Sequence, residues 1–282
     1  MEYKLYCIKH DGEKYQEISK RILNDKEKDQ IKKACDNINT LKLLYEIPYS
    51  LKRNYDDFIK YVNTTPSKEE NFLWNINKRI VEENRLIFNL VSSLNAIENY
   101  YQNILDNNDF NNLKTNYISL HYDKSFNYRF LYQLRNYVNH SFVPVTLAEF
   151  RYNKEIKYNK IFADKKTLLR DDIFKKKLKE EIEKKLPDNI DITKLIMEEI
   201  PAYIQVILNF INQYKQKNEK DIDLIKEYQR KLDQKTKIKI DDNNLVYGIE
   251  TSEKLGSLNI ILPIDFIKAF EKNQLYADFF GE

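Results

Sequence analysis

Four glycines and six prolines in 282 residues leave this chain few places to turn sharply. Glycine supplies positive φ and proline interrupts helices, so a chain poor in both, and rich in Lys, Glu, Leu, Ile and Asn, is expected to fold mainly into long helices. The same scarcity argues against the glycine-dependent nucleotide folds. Neither GxGxxG nor GxxxxGK[ST] is present, so the common phosphate-cradling loops are absent. A chain of this length buries a sizeable core without staples. Two cysteines, Cys7 and Cys35, are too few for a disulfide framework and form no CxxC, which points to a reduced, cytoplasmic interior and no structural zinc. The first residues, MEYKLYCIKHDGEKYQ, mix apolar positions with charge, and no long apolar run follows, so neither a signal peptide nor a membrane span is expected. The net charge of +3 comes from 47 basic and 44 acidic residues, so local patches matter more than the total.

Three regions are expected along the chain. Residues 1–65 read as a mostly helical N-terminal subregion, with a short alternating start at Tyr3, Leu5 and Cys7 and helices near 14–36 and 50–62. Residues 66–217 read as a helical domain. Its first long helix is announced by the capping segment TTPSKEEN and carries an apolar stripe of Leu73, Ile76, Ile80, Ile87, Leu90, Leu94, Ile97, Tyr101 and Ile104, interrupted only by Glu83. A shorter helix reaching about His121 follows, and Asp123 or Ser125 can cap the next. That helix buries Phe126, Phe130, Leu131, Leu134, Tyr137 and Val138, and Pro144 stops it near Phe142. A β-hairpin is expected over about 145–164, helix from about Arg170, an amphipathic charged run over 171–186, and a helix over 192–217 with Pro201 inside it. Residues 218–282 read as a small α/β region with strands at KTKIKI, LVYGIE and SLNIILP and a helix over 264–272.

Histidine-dependent chemistry has three places to reside, His10, His121 and His140. His10 falls in an expected loop and His121 at a helix end favoured by the dipole. A helix of ~15 residues between His121 and His140 would hold them roughly 20 Å apart, too far for a shared metal in one chain. The stretch LYQLRNYVNHSF, residues 131–142, gathers the more informative groups. Asn136 and His140 are four apart on one helical stripe, so the amide can set the imidazole tautomer. Arg135 lies roughly 140° around the axis from His140, with the length to reach round. Arginine to neutralise a phosphate and histidine to move a proton suit RNA cleavage, in which the 2′-hydroxyl is the nucleophile and no metal is required.

Arg135-Asn136-Tyr137-Val138-Asn139-His140 resembles the signature of the HEPN superfamily: arginine, four to six residues of which the first is usually polar, then histidine, near the end of a helix in an all-α bundle. The preceding SFNYRFLYQL is similar to aromatic-rich helices of bacterial HEPN-like proteins, and the resemblance covers roughly residues 68–217. It implies a metal-independent endoribonuclease without a cofactor, with Arg135 and His140 catalytic and Asn136 orienting them. It also implies a site completed by a second copy in a homodimer, and a setting in antiphage defence or toxin action with an antitoxin or defence-system partner. Some members instead bind RNA or a protein without catalysis. Beside the motif, Glu98 projects toward an arginine or sits as a surface charge. Tyr132 and Asn139 flank Arg135 and line a nucleotide pocket or the core. Arg129 contacts phosphate or forms a salt bridge.

Overall fold

The computed structural model describes residues 3–11, 14–64, 72–141, 145, 147–149, 159–170, 173–236, 245–250 and 258–271. The chain is mainly helical with small antiparallel sheets. It opens with β1 (Tyr3–Asp11) and β2 (Lys14–Leu23), followed by α1 (Asp25–Asn63) and α2 (Phe72–Ile104). Next come α3 (Asn107–Leu113), a π-helical segment (Lys114–Ser119), α4 (Leu120–Lys124) and α5 (Phe126–Ser141). Then follow β3 (Leu147–Glu149), β4 (Lys160–Asp164), α6 (Lys165–Arg170), α7 (Lys176–Lys185) and β5 (Asn189–Asp191). The remaining elements are α8 (Ile192–Lys217), α9 (Glu219–Thr236), β6 (Leu245–Glu250), β7 (Leu258–Ile261) and α10 (Ile264–Glu271).

Two compact units result, and they divide the chain differently from the three regions expected. Residues 1–45 and 211–282 form a terminal unit, and residues 46–210 form a central one. The reason is strand pairing between the chain's two ends. In the terminal unit β1 lies between β2 and β6, and β7 completes an antiparallel sheet of order β2-β1-β6-β7. Residues 14–23 are therefore strand rather than helix, and His10 sits in the ladder opposite Tyr15 rather than in a loop. Asn24 starts α1 with a reciprocal cap. Its Oδ1 accepts the Glu27 N–H at 2.9 Å while its own N–H donates to Glu27 Oε2 at 3.1 Å. From there α1 runs unbroken through Pro48, where two separate helices were expected. Ile31, Ala34, Cys35, Ile38 and Leu41 form its buried stripe. Burial pushes the Cys7 thiol up to about 11 and that of Cys35 to about 12, so neither supplies a thiolate near neutral pH.

In the central unit the last turns of α1 pack antiparallel on α2. Asn54 Nδ2 donates to Ser93 Oγ at 2.6 Å, and the Tyr61 hydroxyl donates to Glu83 Oε1 at 3.2 Å. The α2 stripe from Ile87 to Tyr101 is buried, each Leu or Ile stabilising the unit by about 1.5–3 kcal/mol relative to exposure. The side chains of Leu73 and Ile76 and the start signal at 65–71 lie outside the described residues. Ser125 caps α5, its Oγ accepting the Tyr128 N–H at 3.1 Å, and the helix ends at Ser141 ahead of Pro144. Beyond it the Val145 N–H donates to Asn84 Oδ1 at 3.2 Å, which brings the chain after α5 back against α2. The expected hairpin is present as β3 and β4, and β5 adds a third strand that sequence reading did not anticipate. Helix resumes at Lys165, earlier than expected, and the charged run forms α7 with Leu178 and Ile182 buried. In the C-terminal region LVYGIE and SLNIILP supply β6 and β7, whereas KTKIKI begins inside α9 and otherwise lies outside the described residues.

Candidate functional site

The second half of α5 faces α2 through a polar cluster set in an otherwise apolar contact. Arg135 is half-buried, and Asn95 of α2 is 7% exposed. With its amide oriented to satisfy both neighbours, Asn95 accepts from Arg135 Nη1 at 2.5 Å and Nη2 at 3.2 Å, and donates to the Tyr132 hydroxyl at 3.2 Å. The Tyr132 hydroxyl in turn bonds Glu98, one turn further along α2. Burial first, and the Glu98 carboxylate second, push the Tyr132 phenol up, while Arg135 pulls it down. Lys114, in the π-helical segment, lies 3.5 Å from Glu98. The arginine is thus held by a neutral amide. Among the described residues it forms no ion pair, so its charge stays uncompensated by any carboxylate in contact.

The spacing of the cluster follows from helix geometry. Asn95 and Glu98 are three apart on α2, and Tyr132 and Arg135 are three apart on α5, so each pair stands on one face of its helix. Tyr132 also packs among aromatics, with ring centroids 6.0 Å from Tyr122 and 5.9 Å from Tyr128. Tyr128 stacks at 4.7 Å on Tyr203 of α8, and burial holds its phenol well above the ordinary value. Glu98 therefore does face α5, as its place in SSLNAIENYY suggests, but its partners are Tyr132 and Lys114, whereas Asn95 takes the arginine. Asn136 is half-buried in the same helix. Asn139 and His140 belong to α5 by their backbone, which keeps Asn136 and His140 on one stripe; the side chains of Asn139 and His140 lie outside the described residues.

Arg129 is not part of this cluster. Its guanidinium donates to the Tyr122 carbonyl at 2.8 Å, the Asp123 carbonyl at 2.9 Å and Glu181 Oε2 at 2.7 Å, tying α4, α5 and α7 together. Those bonds give it the salt-bridge role weighed above. His121 also has a partner beyond a helix dipole. Its Nε2 lies 2.5 Å from Oε1 of the buried Glu199, whose Oε2 accepts from Ser125 Oγ at 2.6 Å. The acid stands between the serine and the histidine, so this is not the serine–histidine–acid order of an activated nucleophile. It fastens the α4–α5 junction to α8.

Asn95 and Glu199 are the residues that sequence reasoning passed over. Asn95 had a signal: it follows the core residue Leu94 and precedes Glu98 by one turn, so a polar group there had to face another helix. Glu199 had none, because its partners are fixed only by the packing of α8. Comparison of the chain with family models, curated proteins and solved structures gives no match. Among the described residues no helix is long and apolar enough to cross a membrane.

Proposed function

We propose that the protein is a HEPN-like, metal-independent endoribonuclease whose site is built at the end of α5 and completed by a second copy of the chain. The observation that carries this reading is Arg135: a half-buried guanidinium, positioned by a neutral amide and paired with no carboxylate among the described residues. An arginine that only held the bundle together would be expected to sit on an acid, as Arg129 does on Glu181. Arg135 instead retains its charge for an anion, and a phosphodiester accepts two parallel N–H bonds from such a fork. His140 takes the proton of the RNA 2′-hydroxyl as that oxygen attacks phosphorus, or returns one to the departing 5′-oxygen. The strand then ends in a 2′,3′-cyclic phosphate and a free 5′-hydroxyl. Asn136, one turn before His140 in sequence, is the residue proposed to orient the imidazole, and Tyr132 and Asn139, three before and four after Arg135, are proposed to contact the nucleotide. The setting in defence or toxin action, with an antitoxin or defence-system partner, rests on the resemblance of the motif.

The test is cleavage of single-stranded RNA by purified protein in EDTA. The wild type is expected to cut, and His140→Ala to lose on the order of 100-fold or more of that rate at unchanged melting temperature. Equal cutting by the two proteins contradicts the proposal. RNA binding without cutting by the wild type assigns the motif to a non-catalytic RNA-binding module.

A further inference from the structure

Between Leu86 and Asn103 of α2 a single residue, Glu98, is charged, in a chain of which 32% is charged. A solvent-facing helix in such a chain would be expected to carry Lys or Glu at most of its outward positions. Glu98 is not one of those positions. It is partly buried on the α5 side, against Tyr132 and Lys114. The outward stripe is Val81, Arg85, Phe88, Ser92, Ala96 and Asn99, spaced by threes and fours on one face. Val81 is 69% exposed and Phe88 42%, although both are apolar. Arg85, the single charge on the stripe, is neutralised in place by Glu82, which accepts from its Nε at 2.7 Å and its Nη2 at 2.5 Å. Exposed apolar and aromatic groups with charge withdrawn make up the core of a protein–protein interface, whereas a nucleic acid is met by cations.

The stripe is complementary to itself. Its positions are symmetric about Ser92, so a second copy, antiparallel and related by a two-fold axis at Ser92, meets it residue for residue. Phe88 then faces Ala96, a large side chain against a small one, and Arg85 faces Asn99, so no like charges oppose. At the axis the small Ser92 meets its own copy, which lets the helices approach closely. Asn95, three residues on from Ser92, stands roughly 60° round the helix from it. The stripe therefore borders the contact in which Asn95 holds Arg135. A two-fold axis perpendicular to an antiparallel pair keeps the Asn95 side of both helices on the same face of the dimer, while a parallel pair puts them on opposite faces.

We propose that this face of α2 seats a second copy of the chain, packed antiparallel about Ser92, with both α5 motifs opening on one side of the pair. The inference names the interface that the nuclease reading leaves open, and it rests on that reading for what the dimer completes. The stripe is about 30 Å long and one helix wide, ~300 Å² per copy, well under the ~800 Å² per partner of a standard stable interface. The second halves of α5, which flank it, add area, and the dimer forms at micromolar rather than nanomolar concentration.

Sedimentation of the full chain across the range of about 1–200 µM tests the seat, together with cross-linking by a short bis-maleimide. The wild type is expected to associate to a dimer. Phe88→Glu should weaken it by roughly tenfold or more at unchanged melting temperature, while Ile22→Glu, at another exposed apolar position, leaves it unchanged. The reagent should join two copies of Ser92→Cys at the axis. It should not join two copies of Asn103→Cys, whose thiols lie roughly 33 Å apart along the pair. Cys7 and Cys35 are buried and do not compete. A wild type that stays monomeric throughout, an undiminished dimer in Phe88→Glu, or cross-linking of Asn103→Cys in place of Ser92→Cys would each overturn the proposal. RNA cleavage by the same samples keeps the two readings apart: a dimer with the expected cross-linking pattern that does not cut supports the seat and contradicts the nuclease reading.

Discussion

The two halves of α5 carry arginines of the same chemistry in opposite electrostatic situations. In the first half, Ser125 is tied to Glu199, Asn127 donates to Glu198 at 3.1 Å, and Arg129 is paired with Glu181 and two backbone carbonyls. Arg129 in turn holds the Glu181 carboxyl below the usual carboxylate range, with Lys185 assisting. In the second half Arg135 rests on Asn95, which can accept its hydrogen bonds but cannot cancel its charge. An ion pair fastens helices and leaves no surplus charge. A neutral acceptor fixes position and preserves the charge for something that arrives later. Six residues along one helix therefore separate a fastening from a candidate site.

Converting the second situation into the first is the strongest way to break the contrast. Asn95→Asp places a carboxylate where the amide oxygen meets Arg135. On the proposed nuclease reading, cleavage of RNA is expected to fall on the order of 100-fold, because the guanidinium would no longer meet phosphate with its charge intact, while the melting temperature holds or rises. Full activity in that variant would show that the charge of Arg135 is not what the site uses.

Glu83 extends the contrast to a fully buried carboxylate, one oxygen of which accepts from Tyr61 while the other has no hydrogen-bond partner among the described residues. Its pKa in the fold, about 7, lies above the ordinary value of 4.5, so between those pH values the folded chain binds more protons than the unfolded one. Stability contributed by the neutral carboxyl is therefore full below about 4.5 and is lost as pH rises through about 7, by of order 3 kcal/mol across that window. Glu83→Gln removes this slope and melts above the wild type at pH 8; denaturant melts at pH 5 and pH 8 measure both. A smaller effect is expected at the fastened end. Arg129→Ala lowers stability by about 1–2 kcal/mol, read as a shift in denaturant midpoint, and leaves the per-molecule rate of RNA cleavage at the wild-type level. If that variant instead stays fully stable and loses cleavage, the two arginines have exchanged roles.

What could be read from the residues and what could not divide along local and non-local lines. The limits of α5 are written locally, in Ser125 as cap and Pro144 as stop, and the α2 stripe is written in its own periodicity. The β2 segment KYQEISKRIL carries enough charge to read as helix, and it becomes strand because β1, itself held by β6 from the far end of the chain, offers it an edge. Separate helices were expected near 14–36 and 50–62, yet α1 runs continuously between them, through Pro48. At the candidate site the motif is local, whereas its supports come from another helix. Spacing put Glu98 near the arginine but could not say that Tyr132 would take the carboxylate and Asn95 the guanidinium, since that depends on how α2 is rotated against α5. The pairing of His121 with Glu199 depends in the same way on α8.

The most direct test of the contrast is binding of single-stranded RNA at several salt concentrations by wild type, Arg135→Ala and Arg129→Ala. If Arg135 carries an available charge that meets phosphate, Arg135→Ala binds more weakly, and the slope of log affinity against log salt drops by about one phosphate contact, ~0.7, while Arg129→Ala keeps the wild-type slope. An unchanged slope in Arg135→Ala, or a reduced one in Arg129→Ala alone, would contradict the account.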